Sequence, residues 1–255
     1  MIFQTPPSNP SDALSWLYEQ ALVMVGKLGL REEVIPSRHS HMHGTLSGEA
    51  ITLHTHRFMG SVFRSLSLAY IRTQHTRQLC SLTLIGLPTA KSLLPIVAME
   101  LRALSGTLSL LAVDLFPTDE RVYLAQAVPI LQTLRERSAL CSVPRKRSAL
   151  GHSATSPLAL LCAAVPQQEG LLMQAVAHFL QQVTALAELS HNSCSDPERS
   201  DLAWQAQCAW LRCEHTNQKE SSAMSLMFGE AATQRYLQDV LFQAPHSQES
   251  GPTRQ

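Results

Sequence analysis

Hydrophobic and polar positions change their spacing along the chain, and each change marks a group of predicted elements. Three early prolines keep residues 1–10 irregular, and the apolar side chains that follow Ser11 and Asp12 recur at helical spacing. Farther on, the pattern predicts six β-strands joined by short links, at 39–47, 50–57, 62–73, 78–87, 95–102 and 107–116. Such short links favour a largely antiparallel meander.

Four helices are predicted after the strands, at 122–139, 168–190, 200–214 and 219–242, with breaks at Pro129, Pro166, Pro197 and Gly229. The strand at 107–116 is apolar on both faces for much of its length, so both faces of the sheet should be covered. We therefore expect a three-layer α/β/α sandwich. It forms one domain over residues 11–242, and the polar tail at 243–255 is expected to be disordered.

Composition narrows the class of protein. Of the 255 residues, 45% are hydrophobic and 16% are charged, which is typical of a globular protein. The formal net charge is zero, so neither nucleic acid nor a membrane is expected as a partner. The six cysteines have no CxxC pair, and the first residues lack a secretory signal. These features predict a reduced, cytoplasmic protein without a structural metal site.

Several common catalytic patterns are missing from the sequence. It contains no GxGxxG or P-loop motif, so a nucleotide cofactor is not expected, and no GxSxG nucleophile elbow. The basic run Pro144–Arg147 is short; such a run is most often a solvated loop, and its functional alternative is to bind an anionic ligand or an acidic protein.

Two carboxylates interrupt the apolar strands. Glu100 and Asp114 are the only acidic residues between Ala50 and Pro117. Burying an ionised carboxylate is costly, so each group should be paired, neutral or exposed to a cavity, and a neutral one could donate a proton. The simpler alternative is a strand-end position in contact with water or with an arginine such as Arg102.

Five histidines alternate along the first predicted hairpin. They are His39, His41 and His43 on one strand and His54 and His56 on the next. A two-residue turn at Gly48-Glu49 would place His43 opposite His54 and His41 opposite His56, close enough to bind a transition metal. A polar, solvated hairpin is the alternative, and a register slip by one residue would separate the two sets.

Three blocks of sequence resemble a known family. Residues 63–70, 94–101 and 112–117 are similar to the central strands of the ferredoxin-dependent bilin reductases. Residues 228–242, which read FGEAATQRYLQDVLF, resemble the C-terminal helix signature of the same family. The match extends loosely from about residue 43 to residue 242, and the order and spacing of the blocks make it specific.

The resemblance implies an α/β/α sandwich that binds a linear tetrapyrrole between the sheet and the C-terminal helices. It implies a monomer with no bound cofactor, an external ferredoxin that supplies electrons singly, and acidic side chains that protonate a bilin radical. Glu100 lies where the family has a proton-donating aspartate on a strand. The aspartate side chain is one methylene shorter than that of Glu100. Lys219, Arg145 and Ser109 match or lie near residues that bind the substrate propionates.

Departures from the family pattern affect the chemistry. The phycocyanobilin-forming branch of the family has a histidine where this chain has Thr83, and a second glutamate where it has Ala69. The four-electron chemistry of that branch is therefore not expected. Gln218, next to Asn217, replaces a second catalytic aspartate, and an amide cannot act as a general acid. Thr83, Asn217 and Gln218 therefore remain candidate substrate-binding residues.

Three functional hypotheses follow from the resemblance. The first is a two-electron reductase of biliverdin or a related bilin, with Glu100 as proton donor and ferredoxin docked near residues 145–147. The second is a homologue without reductase activity that binds a bilin, or a heme whose iron the histidine hairpin could ligate. The third is an enzyme with the same electron donor that acts on a different tetrapyrrole.

Overall fold

A nine-stranded antiparallel sheet organises the molecule. The computed structural model describes residues 6–7, 9–74, 79–146, 154–190 and 196–243. The strands are β1 Arg31–Glu33, β2 His41–Leu46, β3 Glu49–Met59, β4 Phe63–Thr73, β5 Leu79–Pro88, β6 Ile96–Leu104, β7 Thr107–Phe116, β8 Ser142–Pro144 and β9 Leu160–Ala164. Their order in the sheet is β1-β3-β4-β5-β6-β7-β9-β8, and β2 pairs with β3 beside β1.

Helices cover both faces of the sheet. They are α1 Pro10–Lys27, α2 Ser37–Ser40, α3 Glu120–Val122, α4 Val128–Ser138, α5 Glu169–Leu189, α6 Pro197–His215, α7 Gln218–Phe228 and α8 Glu230–Tyr236. Helices α1, α4 and α5 share one apolar core with the sheet, and α6 to α8 share a second core with its other face. The α/β/α sandwich predicted from the sequence is confirmed. Within the described residues, none of the helices combines the length and apolar composition needed to cross a membrane.

The alternation of side chains along each central strand produces these two cores. On β6, Val97, Met99 and Leu101 belong to the core beneath α1 and α5, whereas Ile96 and Ala98 face α6 to α8. The predicted meander is confirmed, because β2 to β7 pair consecutively.

Three short strands were missed. Strand β1 is a charged Arg-Glu-Glu segment without alternation, and β8 pairs only with β9, which lies beyond it in sequence. Strand β9 is a short apolar run, which periodicity cannot distinguish from a buried helical turn.

Two helical predictions are refined by the structure. The predicted helix at 219–242 is divided at Gly229, which has a positive φ of 83°. A π-helical turn at Tyr123–Ala127 precedes Pro129, whose ring nitrogen cannot donate the next α-helical hydrogen bond. The tail predicted at 243–255 lies outside the described residues beyond Gln243.

Candidate functional site

Two adjoining cavities lie between the sheet and helices α6 to α8. Their volumes are about 240 Å³ and 220 Å³. Strands β5, β6 and β7 form the floor of the first cavity, and Trp210, Glu214 and Phe242 close it from the helical side. The second is mostly apolar and is lined by β4 and α7. Thr83, Glu100 and Arg102 line both cavities, so they mark the boundary between them.

Glu100 and Arg102 form an ion pair at that boundary. They are two residues apart on β6 and therefore project from the same face of the sheet. The Arg102 guanidinium donates a hydrogen bond to the Glu100 carboxylate, and the two side chains are 35% and 25% exposed, respectively. Thr83 is the neighbour of Glu100 on β5. The arginine partner named in the sequence-based alternative is present, but Glu100 lies in the middle of β6 and not at a strand end, and the pair also faces a cavity.

Asp114 anchors the loop that forms one wall of the first cavity. It is 6% exposed, and its carboxylate accepts hydrogen bonds from the Ser156 backbone N–H at 2.6 Å and from the Ser156 hydroxyl. Both oxygens are therefore engaged by donors, which is a favourable arrangement for a buried ionised carboxylate. The contacts indicate that Asp114 positions the 154–156 segment.

The helical wall of the first cavity contains a carboxylate that the sequence analysis missed. Glu214 is 5% exposed and lines the first cavity. One of its oxygens accepts a hydrogen bond from the Ala154 N–H at 3.2 Å, while the Trp210 indole N–H donates to the Ala154 carbonyl at 3.2 Å. The sequence did contain a signal for the burial of Glu214, because this residue continues the buried stripe of α6. The stripe runs at helical spacing through Ala203, Gln207 and Trp210.

The connection from α6 to α7 and the first turn of α7 carry three predicted site residues. Asn217 is 6% exposed, lines the first cavity, and donates its backbone N–H to the Glu214 carbonyl at 3.0 Å. Gln218 and Lys219 lie in the first turn of α7, and their side chains are outside the described part of the structure.

Two other predicted binding residues lie away from the cavity walls. Ser109 occupies the bulge where the pairing of β6 and β7 shifts register, and its hydroxyl donates to the Arg102 carbonyl at 3.0 Å. Arg145 is exposed after β8, and its N–H donates to the Leu161 carbonyl at 2.9 Å, beside the lining residue Leu160. Neither is among the described residues that line the two cavities.

Helix α7 lies against strand β2 at an unusually close distance. A Cβ atom built on Gly44 would be 2.0 Å from the Met227 carbonyl oxygen, so only glycine fits at this position. Met224 and Met227 of α7 line the second cavity, whose far wall includes Tyr236. The Tyr236 hydroxyl is hydrogen-bonded to Thr55 of β3 at 3.0 Å. These contacts attach the helical wall to the sheet.

The histidine side chains of the β2–β3 hairpin project from the other face of the sheet. His56 is hydrogen-bonded to Glu32 at 2.6 Å, and its ring centroid is 6.1 Å from that of Tyr18 in α1, opposite the cavities. The hairpin histidines of β2 and β3 therefore cannot ligate the iron of a heme bound in the cavities. The described residues contain no group of three or more His, Cys, Asp or Glu side chains arranged for a metal ion.

Details of the hairpin differ from the prediction. Its turn is Ser47-Gly48, with φ of 53° and 83°, because a tight turn of this kind needs positive φ at both central residues. The register is shifted by two residues, which places His41 opposite His54, with ring centroids 4.7 Å apart. His39 is not in the strand: it is buried in α2, the helical turn that follows Pro36.

The site as a whole suits a long, largely apolar ligand. Its walls are mainly apolar, and its polar side chains include one arginine, three carboxylates, two threonines, a serine, a tyrosine and a buried asparagine. Ligand pockets usually have volumes of about 300–1,000 Å³, a range that the two cavities reach only when they are joined. Thr83, Glu100 and Arg102 lie where the two cavities adjoin.

Comparisons with known proteins agree with this geometry. The family model described as ferredoxin-dependent bilin reductase matches residues 19–243. Among solved structures, the chain is similar to selenomethionine phytochromobilin synthase from tomato, crystallised in complex with biliverdin. The TM-score is 0.72 at 14% identity, and the match covers 89% of this chain and 82% of the other. At that identity the structural likeness supports the fold alone.

Proposed function

Because the chain belongs to the ferredoxin-dependent bilin reductase family, we propose that it reduces a linear tetrapyrrole by two electrons, with Glu100 as a proton donor. One observation carries the proposal: a single carboxylate on the sheet faces both halves of an elongated cavity. The substrate is biliverdin or a related bilin. Two reduced ferredoxin molecules each supply one electron, and each electron is matched by one proton.

Arg102 controls when Glu100 can act. In the described arrangement the Arg102 guanidinium engages the Glu100 carboxylate, so Glu100 must lose this contact before it can face the substrate. A propionate of the substrate competes with Glu100 for the Arg102 guanidinium, because arginine binds carboxylates with paired, charge-assisted hydrogen bonds. When Arg102 moves to the propionate, Glu100 can face the pyrrole system.

The remaining polar residues hold the substrate. Thr83 and Asn217 line the cavity and contact the bilin directly, and the resemblance to the family assigns substrate binding to Lys219 and Gln218 at the start of α7 as well. Ser109 supports the propionate region through its hydrogen bond to Arg102. Arg145 binds a propionate at the cavity rim.

Ferredoxin docks on the surface near Arg145 and Lys146. Both residues are exposed at the edge of the sheet, close to the first cavity, and ferredoxin is an acidic protein. Arg147 of the same basic run lies outside the described residues. No cofactor is resident, and the protein acts as a cytoplasmic monomer.

A non-catalytic bilin-binding protein is the second candidate function. The ion pair between Glu100 and Arg102 favours it, because an acid that never loses this partner cannot deliver a proton. Reduction distinguishes the two candidates. The purified protein is mixed with biliverdin, and separately with hemin, and absorption spectra are recorded before and after reduced ferredoxin is added. A shift of the bilin band that requires reductant indicates the enzyme, and binding without turnover indicates the carrier.

Glu100→Gln tests the proposed proton donor. The amide preserves the size of the side chain but has no acidic proton, so we expect biliverdin to bind and product formation to fall about 100-fold or more. Glu120→Gln, which changes an exposed acid in α3, is the matched control and should retain full activity. Normal product yield from Glu100→Gln would remove Glu100 from the mechanism.

A further inference from the structure

The two-electron reduction of a bilin consumes two protons, whereas Glu100 can deliver one of them in each turnover. The family position that would supply a second acid is occupied by Gln218, whose amide cannot donate a proton at neutral pH. A second donor must therefore come from another residue or from solvent. The cavity walls show which residues are available.

Three carboxylates lie among the described residues that line the first cavity, and their surroundings differ. Glu100 is the donor on the sheet. Asp114 is held through both oxygens by Ser156, an arrangement that fixes it in place. Glu214 remains, and it belongs to a different layer of the molecule, because α6 lies on the helical side of the cavity.

We propose that Glu214 is the second proton donor of the reaction, an inference that rests on the proposed function. Glu214 lies in the last turn of α6, four residues before Gln218, which begins α7. It is 5% exposed, and it lines the same cavity as Glu100. The acid expected at the start of α7 has thus been replaced by one at the end of α6.

The neighbours of Glu214 position its carboxyl group without removing it from the cavity. Its Oε1 atom accepts the Ala154 N–H, and Ala154 is fixed in turn by the Trp210 indole.

The proton and electron balance is complete with these two acids. Two reduced ferredoxins are oxidised, each giving one electron to the bilin, and Glu100 and Glu214 each give one proton to it. A double bond of the bilin is thereby replaced by two C–H bonds or by their tautomeric equivalent. The two carboxylates that remain are reprotonated from solvent before the next turnover.

Glu214→Gln tests this assignment. We expect the variant to bind biliverdin about as tightly as the unmodified protein, to accept the first electron, and to stall. An organic radical should persist in electron paramagnetic resonance spectra, and product formation should slow about 100-fold, the usual range for loss of a general acid. Glu198→Gln changes an exposed acid at the start of the same helix and should leave both signals unchanged.

Each outcome decides between the two proposals. If the unmodified protein does not reduce bilin, the proposed function fails and this inference fails with it. If the unmodified protein reduces bilin and Glu214→Gln does so at a comparable rate, only the assignment of Glu214 is wrong. If Glu214→Gln does not fold, Glu214→Asp decides: it keeps the acid but shortens its reach, so slowed protonation with intact binding supports the assignment, and unchanged rates overturn it.

Discussion

Replacing Gly44 with alanine tests the attachment of α7 to the sheet. The added methyl carbon would lie 2.0 Å from the Met227 carbonyl oxygen and 2.8 Å from Cδ1 of Phe228. Contacts of a Cβ atom below 3.0 Å essentially do not occur, so the end of α7 must retreat by at least 1 Å, the difference between 3.0 and 2.0 Å. Backbone on both sides of the contact leaves no flexible side chain to absorb this movement.

The expected cost follows from the packing. Insertion of a methyl group into a filled interior costs about 1–3 kcal/mol, and we expect about 2 kcal/mol for Gly44→Ala. In a protein of this length, that loss lowers Tm by about 4–8 °C. Met224 and Met227 of α7 line the second cavity, so displacement of α7 should also weaken bilin binding. A loss of about 1.4 kcal/mol in binding free energy corresponds to a tenfold weaker affinity.

Thermal unfolding and biliverdin titration measure the two effects. Gly26→Ala is the matched control: Gly26 lies in α1, and an added Cβ would meet nothing within 4 Å. Alanine is the better helix former, so this variant should gain about 0.5 kcal/mol and bind biliverdin normally. If Gly44→Ala were as stable as the unmodified protein and bound bilin equally well, the reasoning about α7 would be refuted.

Three further predictions concern buried polar groups. Ser156→Ala removes one of two donors to Asp114 and should cost about 1.5–3 kcal/mol in chemical denaturation; an unchanged midpoint would contradict the anchoring role. Burial, assisted by the positive charge of Arg38, lowers the pKa of His39, so the imidazole binds a proton more readily in the unfolded chain than in the folded protein. The free energy of unfolding should therefore fall as the pH drops below about 6.5. Chemical denaturation of His39→Gln should show a weaker dependence on pH. Burial raises the pKa of Tyr70 to about 12, so ultraviolet titration of Tyr70→Phe should lack a tyrosine that ionises near pH 12.

The family and the layered fold could be predicted from the chain alone. Strands β2 to β7 pair with their neighbours in sequence, and β3 to β7 show the apolar patterns of buried or half-buried strands, so local information specifies both the elements and their order. The lone acid at Glu100 was visible for the same reason, because a carboxylate inside an apolar strand interrupts the pattern.

The cavity and its second acid depended on the tertiary structure. Glu214 belongs to a helix with many polar residues, and nothing local distinguishes it from its exposed neighbours Arg212 and His215 except its place on the buried stripe. Strands β9 and β8 escaped prediction because their pairing joins segments distant in sequence. The close contact at Gly44 depends on α7, which lies more than 170 residues later.

Periodicity along the chain therefore determined which residues face a core, since side-chain direction repeats every two residues in a strand and about every 3.6 in a helix. It did not determine which helix covers which part of the sheet. That choice is made by packing between segments distant in sequence, and only that packing brought Glu100, Arg102 and Glu214 to one cavity.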